Sequence, residues 1–428
     1  MEWKASYHVA AYPSDNSQTM IRAPGVNANR EQDMDLPTLR LKRHEDRRIG
    51  VGHLWIFSNE VDTDATPLQA FEPGQSVIIR AASGKPLGVG YVNPNTLICA
   101  RLVSRDTKDV LSEDLIERRV RRALALRERL YDEPFYRAVY GESDDLPGLT
   151  IDRYGELVVA QLTTAGMEVF KEQIAEVISR VLAPAALLWR NDAQVRELER
   201  LDRYVEVAFG DVPDVVEVRE GGLKALVSPT EGQKTGWFYD QRLNRERAAA
   251  YARDCRVLDL FAYVGGWGLR CALAGAREVV SVDASSQALD LLRRNVVLNG
   301  LEGRVDDVQA DAFDFLKSVH QDQRFDLAIL DPPAFIKRKK DARNGEQAYL
   351  RLNRLAIESL ADEAILVSCS CSYHMKRELL SRTLLRAATQ AGRRIQILEH
   401  LSQAPDHPVH AAIPETAYLK GIIARVWR

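Results

Sequence analysis

From residue 221 onward, short apolar segments alternate with longer segments of helical spacing, and this alternation constrains the fold more than any other feature. Such a pattern is typical of a parallel sheet that is covered by helices on both faces. The strand candidates are 256–261, 278–283, 305–309, 325–330, 364–370, 394–400 and 418–426. Since no segment of clear helical spacing separates the last two, we expect them to form an antiparallel hairpin at one edge. The sequence therefore predicts an α/β, Rossmann-like domain over residues 221–428.

Three regions of different character precede this sheet. Residues 1–35 are polar and aperiodic, which predicts a disordered leader. Residues 36–106 hold short strand-like segments between glycine turns, as expected of a small β-barrel. Residues 107–220 combine one long stretch of helical spacing with several strand-like runs, which predicts an α+β middle domain.

Composition excludes several classes of protein. The chain has 428 residues and 58 Lys and Arg against 61 Asp and Glu, for a net charge of −3. This balance argues against a binder that relies on bulk positive charge, although local basic patches remain compatible with RNA. The five cysteines are odd in number and scattered, which is no disulfide framework. No apolar stretch approaches the ~20 residues of a membrane span, and no signal-peptide pattern is present. We therefore expect a soluble, cytoplasmic protein without a membrane partner.

Four acidic residues fall at the ends of four successive strand candidates: Asp259, Asp283, Asp311 and Asp331. In open α/β sheets, ligands bind outside the carboxyl ends of the strands, so these side chains should face one crevice. The sequence contains neither the dinucleotide pattern G-x-G-x-x-G nor a phosphate-binding loop with its lysine. S-adenosylmethionine has adenine, a ribose and a sulfonium cation but no phosphate, and carboxylates suit such a ligand. We predict it as the cofactor.

Individual roles follow from position. Asp283 suits the ribose hydroxyls and Asp311 the adenine amino group, while the loop after the first strand brings its backbone close to the ligand. The predicted contacts in that loop are Asp259, Phe261, Tyr263 and Gly265. Acidic residues at strand ends also cap helices, and that interpretation would account for any one of the four alone.

Residues 231–242, just before the first strand, contain glycines and aromatic residues that could cover the cofactor. Asp240 and Arg242 would then supply polar contacts. An interdomain linker with an aromatic anchor fits the same residues, and the sequence does not decide between the two.

Cys371 lies in the segment Val367–Ser372, where an apolar run ends. It comes 40 residues after Asp331, which opens the segment Asp-Pro-Pro-Ala-Phe. Carbon 5 of cytosine becomes nucleophilic once a thiolate has added to carbon 6, so a cysteine in this crevice suits cytosine methylation. Asp331 would bind the N3 edge of the base and assist the addition, Pro332 would fix the turn, and Phe335 could stack on the base.

Plainer interpretations of this cysteine exist. A cysteine in an apolar strand is often inert core. Cys369 and Cys371 share a strand face and His374 follows, but no second cluster completes a metal site, so we predict no metal.

Two basic runs favour RNA as the partner. The first follows the Asp331 segment and the second opens the β-rich module; their residues are Lys337, Arg338, Lys339 and Lys340, and Arg40, Lys42 and Arg43. Either run would also be unremarkable as a solvated surface.

Taken together, several motifs resemble those of the RlmI-type bacterial methyltransferases of large-subunit ribosomal RNA. They are 141–148, 240–242, 259–266, 282–283, 331–335, 370–372, 404–409 and 418–421. The resemblance covers residues 36–428. It implies an RNA-binding PUA domain, a middle domain and a class I methyltransferase domain that makes 5-methylcytidine in 23S rRNA, with Cys371 as the nucleophile. Many RNA cytosine methyltransferases carry a second cysteine in the Asp331 motif; this chain has proline there and an additional Cys369.

Two other functions stay open from the sequence. A methyltransferase acting on a ring or exocyclic nitrogen of a purine would need no cysteine. A noncatalytic RNA-binding assembly factor could retain the same fold. The oligomeric state is also open, with a homodimer as one option.

Overall fold

The N-terminal part of the described structure is a small β-rich module. The computed structural model describes residues 36–232, 235–320, 323–336 and 338–428, and of residue 339 the backbone alone. Strands β1 (Thr38–Arg40), β2 (Trp55–Phe57), β3 (Gln75–Arg80), β4 (Pro86–Val92) and β5 (Ile98–Ser104), with the short helix α1 (Arg47–Gly50), form one sheet in the order β1-β3-β4-β5-β2. A bridge between Leu41 and Val61 connects the two edges of that sheet. The predicted small β module is confirmed; the predicted leader, 1–35, lies outside the described residues.

A second five-stranded sheet follows. Its elements are α2 (Glu113–Leu130), β6 (Phe135–Tyr140), β7 (Leu149–Tyr154), β8 (Leu157–Leu162), α3 (Ala165–Val169), α4 (Lys171–Leu182), β9 (Ala186–Asn191), α5 (Val195–Leu198) and β10 (Tyr204–Phe209). The strand order is β10-β9-β8-β7-β6, and α2 and α4 pack together over an apolar core. Ser112 caps α2 by accepting a hydrogen bond from the Leu115 N–H at 3.3 Å. The predicted α+β character is confirmed.

A β-hairpin connects this sheet to the next one. Strands β11 (Val216–Glu220) and β12 (Leu223–Val227) are joined by Gly221 and Gly222, with φ of 55° and 87°. A two-residue turn with both φ values positive matches the twist of the strands, and glycine adopts it without a steric penalty. The predicted boundary near residue 220 falls at this turn. The predicted domain boundaries stay a prediction.

The third sheet has seven strands and is the largest. Its elements are α6 (Arg242–Ala249), β13 (Arg256–Leu260), α7 (Gly266–Leu273), β14 (Glu278–Asp283), α8 (Ser286–Leu298), β15 (Val305–Gln309), α9 (Ala312–Ser318), β16 (Phe325–Leu330), α10 (Ala342–Ser359), β17 (Leu360–Ser370), α11 (Arg377–Gln390), β18 (Arg394–Ser402) and β19 (Lys420–Trp427). The order is β15-β14-β13-β16-β17-β19-β18, with the first five strands parallel. Strand β19 is antiparallel to both β17 and β18. The predicted antiparallel pair is confirmed, and β19 is inserted between β17 and the edge strand β18.

Apolar side chains on both faces of this sheet are buried, as the unbroken apolar runs predict. Along β13, Val257 packs into one core, whereas Leu258 and Leu260 pack into the other. Each fully buried side chain of this size contributes roughly 1.5–3 kcal/mol. Ser285 caps α8 by accepting from the Ala288 N–H at 3.2 Å, and Gly300 follows the helix with φ 64°.

The loop between β18 and β19 (residues 403–419, here the C-terminal loop) ties the third sheet to the second. Asp406 is fully buried, and its carboxylate accepts from the Arg137 N–H at 3.1 Å and contacts His407 Nδ1 at 2.8 Å. The Arg127 guanidinium donates to the Asp406 carbonyl at 2.9 Å and forms a buried pair with Asp144. The loop is therefore held by residues nearly 300 positions earlier in the sequence.

Candidate active site

A cavity of about 390 Å³ lies at the carboxyl ends of β13, β14, β15 and β16. The loops that follow these strands form its floor, and the wall is completed by residues 237, 238, 240, 241, 245, 371 and 419. This is the edge of an open α/β sheet at which ligands bind. Three of the four predicted carboxylates, Asp283, Asp311 and Asp331, line it together.

Asp283 is held by two backbone donors at the end of β14. Its carboxylate accepts from the Tyr263 N–H at 2.8 Å and from the Ser285 N–H at 2.9 Å. The loop that it holds is conformationally unusual, because Phe261 and Tyr263 have φ of 63° and 52°. Such values cost free energy for residues other than glycine, so the Asp283 contact stabilises a strained loop whose residues 261–263 line the cavity.

Asp311 fits both interpretations made from the sequence. Its Oδ1 accepts from the Phe313 N–H at 2.9 Å and the Asp314 N–H at 3.2 Å, so it caps α9. The same residue, with Ala310 and Ala312, lines the cavity. The helix cap fixes the position of the carboxylate at the cavity wall.

Asp259 does not line the cavity, which corrects the expected row of four carboxylates. It is fully buried within β13, and its Oδ2 accepts from the Gly268 N–H at 2.8 Å. Burial is the main cause that raises its pKa to about 7; the charges of Asp331 and Asp283 act in the same direction, and the Gly268 hydrogen bond opposes them. Asp259 thus anchors the start of α7 from behind the cavity. In the loop itself, Gly266 lines the cavity, and Gly265 does not.

The carboxylate of Asp331 is fixed by two side chains. Gln241 Nε2 lies 3.0 Å from both of its oxygens, and Trp267 Nε1 donates to Oδ2 at 3.0 Å. Pro332 and Pro333 follow directly and also line the cavity. Gln241 was not singled out from the sequence, although it stands between two residues that were. The 3-10 turn over Tyr239–Gln241, which directs both Asp240 and Gln241 to the cavity, has no clear sequence signature.

Residues 237–242 combine the two roles considered for them. Trp237, Phe238 and Asp240 line the cavity, and Asp240 accepts from the Tyr418 hydroxyl. Arg242 does not reach the cavity, contrary to the expected cofactor contact. Its guanidinium lies 4.1 Å from the centroid of the Tyr131 ring and donates to the Phe135 carbonyl. Arg242 therefore anchors the segment to the second sheet.

Cys371 follows β17 directly, is partly exposed, and lines the cavity opposite the Asp331 loop. The two flanking serines point the other way and bind one buried phenol: Ser370 Oγ donates to the Tyr349 hydroxyl at 2.8 Å, and Ser372 Oγ lies 3.1 Å from it. Strand alternation therefore directs the Cys371 thiol to the cavity. Cys369, by contrast, is fully buried, and burial raises the pKa of its thiol well above the usual value. It is a neutral core thiol.

Lys420 is a buried cation next to this cysteine that the sequence did not reveal as a site residue. Its Nζ donates to the Ser372 carbonyl at 2.7 Å. Burial is the main cause that lowers the pKa of Lys420 to about 8; the charges of Lys376 and Arg377 act in the same direction, and Cys371 opposes them. The pairing of Lys420 with Ser370 across β19 and β17 fixes it at this height in the sheet.

The remaining predicted RNA contacts are distributed over the surface. Phe335 does not line the cavity, because its ring packs 4.9 Å from Tyr349 and 6.3 Å from Phe313. Arg338 is exposed and pairs with Asp341 at 3.1 Å. Of the rest of that run, Lys340 is exposed, Lys337 lies outside the described residues, and the side chain of Lys339 is not described.

The second basic run lies on the N-terminal sheet. Arg40, Lys42 and Arg43 are all exposed there. Lys42 donates to the Asn59 carbonyl at 2.9 Å and Arg40 to the Ala82 carbonyl. None of the three lines the cavity.

Two kinds of feature are absent from the described part of the chain. Within it, no three or more His, Cys, Asp or Glu side chains are grouped as metal ligands, Cys369, Cys371 and His374 included. Over the same residues, no helix combines the length and the apolar character that crossing a membrane requires.

Comparison with known families decides the class of this cavity. A model of S-adenosylmethionine-dependent methyltransferases matches residues 154–425, more than half of the chain. The chain belongs to this methyltransferase family. A second model, of PUA-like domains, matches residues 39–105, the N-terminal β module. The methyltransferase therefore uses S-adenosylmethionine, as predicted.

Curated relatives match nearly the whole methyltransferase. The Shewanella amazonensis protein named ribosomal RNA large subunit methyltransferase I is similar to it, with 36% identity over 91% of this chain and 99% of the relative. The Aeromonas hydrophila protein of that name is 38% identical over 87% of this chain and 95% of the relative. The Klebsiella pneumoniae protein is 36% identical over 92% of this chain and 99% of the relative. These matches confirm the family resemblance drawn from the motifs.

Solved structures support the fold. A candidate S-adenosylmethionine-dependent methyltransferase from Streptococcus mutans superposes with a TM-score of 0.77 at 19% identity, over 91% of this chain and all of that one. A candidate methyltransferase crystallised with S-adenosylhomocysteine gives 0.78 at 20% identity, with the same coverage. At these identities the likeness concerns the fold alone.

The residues of the cavity fit the cofactor chemically. S-adenosylmethionine is a cation without phosphate groups, and the cavity offers fixed carboxylates and aromatic side chains. Among the described residues of the wall, the one arginine is Arg245, which is held by Glu220 at 2.7 and 2.6 Å. The cavity therefore has an excess of negative charge, which favours a cationic ligand and disfavours a phosphate.

Proposed function

We propose that this methyltransferase forms 5-methylcytidine in large-subunit (23S) ribosomal RNA, with Cys371 as the nucleophile. The observation that carries the proposal is that a partly exposed thiol and a fixed carboxylate, Cys371 and Asp331, share the wall of the cofactor cavity. Methylation of a nitrogen requires no thiol there, whereas methylation of carbon 5 does. The names of the similar curated proteins support the ribosomal substrate.

The cofactor is assigned to the carboxylates of the cavity. Asp283 would accept hydrogen bonds from the ribose hydroxyls, and Asp311 from the adenine amino group. Phe261, Tyr263 and the backbone beside Gly265 would enclose it, with Asp240 on the opposite wall. When bound, S-adenosylmethionine supplies an electrophilic methyl group. Asp259 and Arg242 would act only by supporting the loops that make these contacts.

The residues of the chain supply the activation of the base. The Cys371 thiolate adds to carbon 6, a bond forms between sulfur and carbon 6, and the electron pair of the carbon 5–carbon 6 double bond becomes available at carbon 5. Asp331, beside Pro332, would share a proton with N3 of the base, and this proton would neutralise the charge that the addition places on N3 and so stabilise the adduct. After carbon 5 has gained the methyl group, it loses its proton, the double bond re-forms, and the thiolate leaves.

Exposed cations would bind the RNA backbone. The PUA-like module presents Arg40, Lys42 and Arg43, and Arg338 and Lys340 follow the Asp331 segment. We extend the proposal to Lys337 and Lys339 from the sequence alone, and no stacking role is proposed for Phe335. Phosphate contacts of this kind set affinity and orientation but do not read the sequence. We further propose that the enzyme acts in the cytoplasm; light scattering of the purified protein would distinguish a monomer from a homodimer.

Nucleoside mass spectrometry tests the reaction. Unmodified large-subunit rRNA would be incubated with labelled S-adenosylmethionine and either the wild type, Cys371→Ala or the matched control Cys369→Ala. We expect labelled 5-methylcytidine from the wild type and from Cys369→Ala, and none from Cys371→Ala. Calorimetry with S-adenosylmethionine would show that the inactive variant remains folded.

Two results would overturn this proposal. A methylated purine that persists in Cys371→Ala would mean transfer to a nitrogen. Failure of the wild-type protein to bind S-adenosylmethionine would favour a noncatalytic assembly factor. An RNA containing 5-fluorocytidine gives an independent check, because fluorine cannot leave carbon 5 as the proton does. Such an RNA should form a stable covalent complex with the wild type and none with Cys371→Ala.

A further inference from the structure

A second cavity, of about 600 Å³, lies beside the cofactor cavity and shares Leu419 with it. The start of α11, the segment before it and the C-terminal loop form its walls. The lining residues are Leu243, Tyr373, Met375, Lys376, Arg377, Ser402, Gln403, Ala404, Pro405, His407, Pro408, Val409, Ala417, Leu419 and Lys420. Tyr373 in its wall is two residues after Cys371, which lines the cofactor cavity, so the two cavities are neighbours close to the nucleophile. A molecule extending from one cavity would reach the other.

The described side chains that line this second cavity carry positive charge. Lys376, Arg377 and Lys420 line it, and no Asp or Glu stands among its described lining residues. The whole chain has a net charge of −3, so this is a local concentration of positive charge. A cavity with walls of one sign attracts ligands of the opposite sign, which indicates an anionic ligand.

The cavity also offers apolar and aromatic surface. Leu243 and Val409 line it and are 41% and 51% exposed, although both are large apolar residues. The ring of Tyr373 lies beside them in the wall, with Lys376 Nζ 4.2 Å from its centroid. A simple anion such as phosphate needs no such surface, whereas a nucleotide has both a phosphate and a flat base. A volume near 600 Å³ lies within the range of pockets for ligands of that size.

We propose that this second cavity binds the nucleotide next to the target cytidine in single-stranded RNA. This inference rests on the proposed function and names the part of the substrate that lies outside the cofactor cavity. A base can reach Cys371 only when it is out of its helix, so its neighbours in the chain are unpaired there as well. Lys376 and Arg377 bind the phosphate beside the target, and Tyr373, Leu243 and Val409 contact the neighbouring base.

Steady-state kinetics with unmodified large-subunit rRNA tests the assignment. The variants are the double substitution Lys376→Met with Arg377→Met, and Tyr373→Ala. The matched control is Arg382→Met, an exposed arginine of the same helix outside the cavity. We expect KM for RNA to rise at least about tenfold in both test variants, with kcat within about threefold, because the lost phosphate and stacking contacts hold the RNA but touch no reacting atom. S-adenosylmethionine affinity should not change in any variant.

Salt dependence separates a phosphate contact from a structural effect. The slope of log K against log salt should be less steep by about 0.7 per lost contact in the double variant and unchanged in Tyr373→Ala. The inference fails if the wild type methylates the RNA and both test variants behave like Arg382→Met. It also fails if they are impaired only on ribosomal particles and not on naked rRNA, since the cavity would then bind a protein. A wild type that methylates no cytidine would instead overturn the proposed function.

Discussion

The side-chain amide of Gln241 lies 3.0 Å from both carboxylate oxygens of Asp331. Gln241 is itself held by Asn244, whose Nδ2 donates to its carbonyl oxygen at 2.6 Å. A carboxylate that is fixed in this way needs no reorganisation when a base arrives, and such preorganisation is a main source of catalytic power. The short turn before α6 therefore determines the orientation of the carboxylate that we assign to the base.

Replacement of Gln241 by Leu should slow methyl transfer while leaving the nucleophile in place. The variant loses two of the hydrogen bonds that orient Asp331, and we expect kcat to fall at least about tenfold. Single-turnover methylation of rRNA measures this effect. The control is Arg247→Leu, at an exposed position of α6, the helix that follows the turn; Arg247 pairs with Glu399. This variant should retain the wild-type rate. A wild-type rate in Gln241→Leu would show that Asp331 needs no orientation by this residue.

Replacement of Asp283 by Ala should weaken S-adenosylmethionine binding at least about tenfold, since it removes a charged acceptor and releases the strained loop at Phe261 and Tyr263. Isothermal titration calorimetry measures the affinity. Asp290→Ala, an exposed aspartate on α8, serves as the control. Unchanged affinity in Asp283→Ala would remove the ribose assignment.

Replacement of Lys420 by Met should make Cys371 less reactive at neutral pH. The pKa of Lys420 is lowered to about 8, mainly by burial, so below that pH it is a cation that favours the neighbouring thiolate. The pH midpoint for alkylation of Cys371 by iodoacetamide, followed by peptide mass spectrometry, should rise by roughly one unit. Lys420→Arg should keep the midpoint near that of the wild type.

Other titratable groups lie around Cys371 and Lys420 and set the background of that measurement. They are Asp240, Asp331, Tyr349, Cys369, Lys376 and Arg377. Lys376→Met, which removes an exposed charge nearby, should shift the midpoint less than Lys420→Met does. Equal midpoints for the wild type and Lys420→Met would mean that Lys420 serves only to bind the Ser372 carbonyl.

Asp259 should make the fold less stable as pH rises from about 4 to about 7. Its pKa is raised from 3.8 to about 7, so the folded state holds a proton that the unfolded state has lost. Stability from such a group is fully present below pH 3.8 and is lost as pH rises through about 7. Asp259→Asn removes this effect, and its advantage over the wild type should grow by roughly 2–4 kcal/mol across that window.

Urea unfolding followed by tryptophan fluorescence measures that difference, because Trp267 lies in the affected helix. Asp290→Asn is the matched control and should follow the wild type at every pH. A constant difference between Asp259→Asn and the wild type would mean that Asp259 is ionised in the folded protein throughout the range.

The inner strands of the third sheet could be predicted because each contains an apolar run bounded by turn residues, and both faces of the sheet are buried there; the edge strands β15 and β18 are more polar and more exposed. Asp283 and Asp311 could be placed at the cavity, because a residue that ends or follows a parallel strand lies at the carboxyl edge of the sheet. Asp259 failed this rule because it is one residue inside its strand, where Leu260 still follows. A shift of one position moves a side chain from the ligand to the core.

Residues whose position depends on the conformation of a turn or on the order of the strands could not be placed in this way. Gln241 and Arg242 are neighbours, yet one binds Asp331 and the other contacts Tyr131, and only the conformation of the turn separates them. Lys420 approaches Cys371 because β19 is inserted beside β17, and the order of strands in a sheet is a property of the tertiary fold. Phe335 looked suited to stacking on a base, but its ring is used in packing on Tyr349.

The attachment of the C-terminal loop has a consequence for biosynthesis. Asp240, in the cofactor cavity, accepts from the Ala404 N–H at 2.9 Å and from the Tyr418 hydroxyl, 178 residues later in the chain. A ribosome has to deliver all of those residues before this wall of the cavity exists. The nascent chain can form its first two sheets while translation continues, but it should remain unable to methylate until residue 420 has emerged. Enzymes that modify ribosomal RNA are themselves made by ribosomes, and this order of assembly delays activity until these late residues have been made.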